Sequence, residues 1–210
     1  MLRSFEPEIL DDPDIPEAAK LRAHRDITRT HRWLGHTAII LRALRGHPQP
    51  LRRVLDVGCG YGGLLLEVRK RLSVDVIGVD LAPPAVPLVP IVRADAVRHS
   101  LPECDVAFAV CLVHHLTADE LVQLIRNVGC SARRFVVLDL VRHPLPLFLF
   151  RTFVAPFICR ITAHDGMQSI RRSFTGPELR GIVLEAVDGA ATVRHRVAPF
   201  FTHQVVDISW

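Results

Sequence analysis

The chain has 210 residues, enough for one domain with a sheet covered on both faces. Apolar residues make up 49% of it, ordinary for an α/β protein and unlike a disordered chain. The net charge of +4 is almost all scattered arginine, with lysine only at 20 and 70 and no interleaved aromatics, which argues against a nucleic-acid surface. Five cysteines, an odd number with no C-x-x-C pair, read as reduced and mostly buried, so neither a disulfide framework nor a metal is expected. The opening MLRSFEPEILDDPD has no apolar signal core, and the expected location is cytoplasmic.

Residues 1–15 are acidic and broken by proline, and read as extended chain. A helical pattern rich in Arg and His covers 16–34 and ends near Gly35; a second, apolar helix covers 36–45 and stops at Gly46-His47-Pro48. Arg22, Arg25, Arg29 and Arg32 recur at helical spacing and share one face. That face is either solvated or offers one guanidinium to a ligand carboxylate.

Residues 52–68, RRVLDVGCGYGGLLLEV, carry the most information. An apolar run (Val54, Leu55, Val57) leads into Gly58, Gly60, Gly62 and Gly63, then an amphipathic stretch, which predicts a buried strand, a tight turn and a helix start. Such a turn lets a ligand approach backbone closely, and the first helical amides face it. Gly58, Gly60 and Gly63 also satisfy the dinucleotide pattern G-x-G-x-x-G. Asp56, two residues before the first glycine, separates the two readings: a carboxylate there repels a pyrophosphate but tolerates a cationic or amine-bearing ligand.

Strands follow at 74–79, 89–93, 104–110 and 134–140, with helices at 62–72 and 118–128. Thr117-Ala-Asp-Glu120 and Thr175-Gly-Pro-Glu178 read as capping boxes, the second starting a helix over 176–186. Segments 191–197 and 200–208 read as a closing hairpin. Between the second and third strands stands LAPPAVPLVP, residues 81–90, whose prolines forbid the usual crossover helix. This link is expected to pack flat on the sheet, or a second subunit covers the apolar surface there. Residues 141–165, with four phenylalanines and three prolines, are too broken to span a membrane; they read as a core helix or as an apolar lid over an acceptor pocket.

D-x-G-x-G-x-G at 56–62 resembles motif I of the class I methyltransferases that use S-adenosylmethionine. Asp80, about 20 residues past the glycines, fits the acid that grips a ribose diol in such folds. Carried over by position, Asp95 and Ala96 meet the adenine, and Cys59, Leu81 and Cys111 complete the cofactor set with Asp56, Gly58, Gly60 and Asp80. Val113-His114-His115 resembles the small-molecule branch that modifies quinones and polyketides, where a His pair follows the fourth strand. The resemblance implies a Rossmann-like α/β three-layer sandwich with a seven-stranded, mostly parallel sheet whose last strand is antiparallel. It also implies one domain over 1–210: a helical cap (1–48), a cofactor core (49–140), and a lid with the closing hairpin (141–210).

The expected function is methyl transfer from S-adenosyl-L-methionine to a small, lipophilic phenol, quinone or polyketide-like acceptor, with O-methylation favoured. A non-catalytic S-adenosylmethionine-binding module and a nicotinamide-dependent oxidoreductase remain the alternatives. Histidine is the natural base near neutral pH, and ligands bind at the carboxyl edge of open α/β sheets, so His114 and His115 are the catalytic candidates, one facing the site and one supporting the loop. His164-Asp165 reads as loop, since sequence neighbours rarely hydrogen-bond as base and orienter. Cys111 lacks a preceding proline and reads as packing rather than as a nucleophile. Asp139, near the end of the fifth strand, is in reach of the acceptor or of a metal, but no second carboxylate accompanies it, and no metal is expected. The expected partner is a small-molecule substrate, without nucleic acid or stable membrane insertion; a homodimer is left open.

Overall fold

The computed structural model describes residues 1–12 and 14–210. Its sheet has seven strands: β1 (Arg53–Val57), β2 (Asp75–Asp80), β3 (Ile91–Arg93), β4 (Cys104–Val110), β5 (Ala132–Asp139), β6 (Thr192–Val197) and β7 (Gln204–Ser209), in spatial order β3-β2-β1-β4-β5-β7-β6. The first five strands run parallel, and β7 is antiparallel to both β5 and β6. The order reverses between β1 and β4, where an open α/β sheet forms its crevice.

Successive side chains of a strand alternate between faces. Val54, Val106, Phe108, Val136 and Leu138 therefore pack on one side, against α2 (His36–Arg45) and α3 (Gly63–Leu72). Leu55, Val57, Ala107, Phe135 and Val137 pack on the other, against α4 (Ala118–Gly129) and α7 (Gly176–Val187). Both expected capping boxes are present: Glu120 N–H donates to Thr117 Oγ1 at 3.2 Å and Glu178 N–H to Thr175 Oγ1 at 3.4 Å.

The link over 81–90 is bend and extended chain without a helix, as its prolines require. It seats through Val89, which is buried, while Leu81 and Val86 stay exposed. Gly62 makes that seat: its φ is +76°, and a Cβ there would stand 2.4 Å from Val89 Cγ2.

Two expectations are corrected here. Residues 141–165 are not a core helix. They form α5 (Pro144–Phe153), a turn at Ala155–Phe157 and the start of α6 (Arg160–Arg172); Pro146 is the one buried residue of α5, and Phe148, Phe153 and Phe157 are exposed. Phe150 alone of the four lies close in, against Gly166, and lines the cleft described below.

The amino-terminal stretch is not simply extended chain. It makes a short helical turn at Ile9–Asp11 and straps across α6, where Asp165 accepts from Ile9 N–H at 2.8 Å and Leu10 N–H at 3.0 Å. Arg3 anchors the strap's start by donating to Leu116 O at 2.7 Å, and α1 (Glu17–Trp33) follows it. Of the cysteines, all unpaired, Cys130 is exposed and the other four are partly buried, more open than expected. No helix among the described residues is long and apolar enough to cross a membrane.

Candidate active site

A cleft of about 820 Å³ opens at the carboxyl ends of β1, β2 and β4. It brings together all eleven residues the sequence singled out: Asp56, Gly58, Cys59, Gly60, Asp80, Leu81, Asp95, Ala96, Cys111, His114 and His115. The strand order explains this, because the loops after β1, β2, β3 and β4 all emerge on one edge.

At one end lies the glycine turn. Gly58 and Gly60 have φ of +73° and +53°, left-handed values that side chains disfavour. Gly58 N–H donates to Val79 O at 2.8 Å, which ties the turn to β2. Asp80 Oδ2 accepts from Gly60 N–H at 2.8 Å and Oδ1 from Ala82 N–H at 2.9 Å. Each oxygen keeps a lone pair for a further donor such as a hydroxyl. Asp56 is buried, and burial, then the nearby Asp80 carboxylate, push its carboxyl well above the usual range. Two acids in one crevice, lined by no lysine and by Arg172 as its one arginine among the described residues, suit a cationic, donor-rich nucleoside and not a diphosphate. Asp95 Oδ1 accepts from Val97 N–H at 2.9 Å, shaping the turn after β3. The residues therefore fit S-adenosylmethionine.

None of Arg22, Arg25, Arg29 and Arg32 lines this cleft, which corrects the reading of a guanidinium poised for the ligand. Arg29 instead pairs with Asp26 at 2.9 Å and lies over Trp33. The face of α1 turned to the cleft carries His24, Thr28 and His31. Periodicity showed which residues share a face, but not which face turns inward.

At the other end stands a proton-holding array. Asp139 ends β5 and holds His114 twice, at 2.7 Å on Nδ1 and 3.0 Å on the backbone N–H. Glu8 Oε1 lies 3.5 Å from His114 Nε2 and 3.8 Å from His115 Nε2. Asp139 thus has a second carboxylate near it, contrary to expectation; it comes from the amino-terminal strap, more than a hundred residues away, and no local pattern announced it. Burial opposes charge on His114, but Asp139 and Glu8 prevail and raise its pKa to about 9. Glu8 is lowered to about 2 despite its burial, chiefly by the His114 imidazole beside it. His115 is lowered to about 4 by burial and by its charged neighbour. At neutral pH one imidazolium is clamped between two carboxylates, and a neutral imidazole lies beside it, ring centroids 4.4 Å apart. His164 and Asp165 are not loop: both lie in α6 with Nδ1 and Oδ1 3.1 Å apart. Asp165 spends its oxygens on the strap that carries Glu8.

Residues 54–133 match the profile of a methyltransferase domain. A ubiquinone biosynthesis O-methyltransferase of Azorhizobium caulinodans is 48% identical over 59 residues, 28% of this chain and 20% of that protein, so the match spans about a fifth of that curated relative. Among solved structures, a plantazolicin methyltransferase in complex with SAH superposes with a TM-score of 0.70 at 14% identity, covering 95% of this chain and 91% of that one. Human N-acetylserotonin methyltransferase in complex with SAM gives a TM-score of 0.61 at 12% identity, covering 90% and 55%. At such identities the two likenesses speak for the fold.

Proposed function

We propose that this chain, a class I methyltransferase by its domain match over 54–133 and its fold, transfers a methyl group from S-adenosylmethionine to an oxygen of a small acceptor. The observation that carries the reading is one continuous cleft with a phosphate-averse glycine turn at one end and the His114–His115 pair at the other.

Bound in that cleft, S-adenosylmethionine supplies an electrophilic methyl on a sulfonium. The chain's own tasks are to hold the acceptor in line, exclude water and manage its proton. Gly58 and Gly60 admit the ligand's backbone-hugging portion, Asp80 takes the ribose hydroxyls, and Asp56 faces positive charge. His115 is neutral and partly exposed, so it receives the acceptor's proton. His114, already charged and held by Asp139, fixes the loop and the direction of His115; it is a positioning residue. Leu10, Ile27, Leu116, Leu140 and Phe150 line the same cleft and offer an apolar wall, which supports an acceptor with a lipophilic body and a polar head.

Titration calorimetry with S-adenosylmethionine and with nicotinamide cofactors tests the ligand class. Tight S-adenosylmethionine binding that weakens about tenfold or more in Asp80→Asn supports the reading, because a lost charged hydrogen bond is worth roughly 1.5–3 kcal/mol. Nicotinamide binding in its place would overturn it. Release of S-adenosylhomocysteine with a panel of phenols and quinols then separates an enzyme from a silent binding module.

A further inference from the structure

A second cluster lies in the cleft, and apart from Cys111, which the resemblance also puts in the cofactor set, its residues play no part in the chemistry above. His31 sits in the last turn of α1 and His36 opens α2. Gly35 between them adopts φ +76°, and this reversal brings the two rings to a centroid separation of 5.2 Å. Cys111 meets them from the end of β4, itself at a positive φ of 53°. One ligating atom from each of the three lies within 4.8 Å of the others.

His36 is the independent sign that something binds. It is 1% exposed, and neither ring nitrogen has a hydrogen-bond partner among the described residues. An unsatisfied buried polar group costs about 1–3 kcal/mol. Burial holds His31 and His36 below the usual histidine range, so both rings are neutral and each offers a lone pair. Asp139 is close enough to influence both His31 and Cys111, and Glu8 also acts on Cys111; their field favours a cation. His203 closes the other side of His36 with its ring edge-on at 5.5 Å.

We propose that His31, His36 and Cys111 form a binding site for one zinc-type divalent cation, its fourth position open to the cleft. Two imidazoles and a thiolate are a borderline-soft set that suits zinc and cobalt rather than magnesium. Bond lengths near 2.0–2.3 Å put tetrahedral ligand atoms roughly 3.5 Å apart, so the side chains close by about an ångström on binding. The Cys111 S–H loses its proton to solvent as the metal–sulfur bond forms. Glu8, His114 and His115 also approach one another, but Asp139 and Glu8 raise the His114 pKa to about 9, so a metal there would have to displace its proton. The site would replace the sequence expectation of no metal, which rested on cysteine spacing and on the missing second carboxylate beside Asp139 and could not see a His–His–Cys set assembled from a helix break and a strand end. It does not depend on methyl transfer.

The full chain, stripped with a chelator and kept reduced, is titrated with Co²⁺ and then Zn²⁺ while absorption is recorded. One equivalent of Co²⁺ should give a tetrahedral visible band and a thiolate-to-cobalt charge-transfer band, both displaced by Zn²⁺. Cys111→Ser should remove the charge-transfer band, His36→Ala should weaken binding at least about tenfold, and Cys130→Ser should change neither. His31→Gln replaces His36→Ala if circular dichroism shows that variant misfolded. Failure to take up Co²⁺ with a charge-transfer band, or a band that survives Cys111→Ser, overturns the proposal. S-adenosylmethionine binding by the same preparation is a separate readout, so loss of one does not mimic loss of the other.

Discussion

His114 lies between Asp139 and Glu8, and its charge sets what His115 can do. With His114 protonated, His115 stays neutral; with His114 neutral, the repulsion on His115 is gone and its pKa rises. Asp139→Asn removes the main charge that holds the His114 proton. The expected result is a His114 pKa well under 9, read by NMR titration of the ring. Breaking a buried pair on one side should also lower unfolding free energy by roughly 3–5 kcal/mol in urea. An unchanged His114 titration would show that Glu8 alone sustains the charge. The residues from Asp56 to Gly63 were legible in the sequence because turn and carboxylate lie in one short stretch. Glu8 was not: it shares no motif with His114 and reaches it only through a strap that Asp165 holds by two backbone amides.

At the scale of elements, the glycine turn and the proline link hold each other. Gly62 combines a left-handed backbone with a Val89 methyl 2.4 Å from where a Cβ would stand. Gly62→Ala should therefore cost about 2 kcal/mol or more from backbone strain alone. That corresponds to a fall in melting temperature of about 4–8 °C for a chain of this size, measurable by calorimetry. Gly62→Ala with Val89→Ala should recover part of the loss, since the clash is relieved and the strain is not. The strand and helix bounds were readable because alternation, capping boxes and prolines are local signals. The exposed α5 was not, because an apolar stretch looks the same whether its phenylalanines face a core or water.

For the whole molecule, the shifted groups set a pH window. Glu8 is lowered in the fold, so its contribution is complete above its ordinary 4.5 and lost as pH falls toward 2. His31 and His115 fold neutral, at about 4 each, and burial holds His36 well below its ordinary value, so stability also falls as pH drops from 6.5 toward 4. His114 is raised, so its contribution is complete below 6.5 and lost as pH rises through about 9. Asp56, raised by burial, adds to the alkaline loss, but on the acid side three histidines outweigh it. Urea midpoints should thus peak near pH 6.5 and decline on both sides. A midpoint still climbing from pH 7 to 9 would contradict the charged His114.

The proline link has one more effect, on how copies of the chain meet. It leaves Leu81, Val86, Leu88 and Val92 uncovered at the rim of the sheet, a greasy margin that invites company. Yet the outermost strand there is only three residues long and starts directly after Pro90. So brief a border cannot recruit a foreign strand by backbone pairing. Any association along that rim must run through side chains, which sets it apart from the opposite border, where β6 offers six residues.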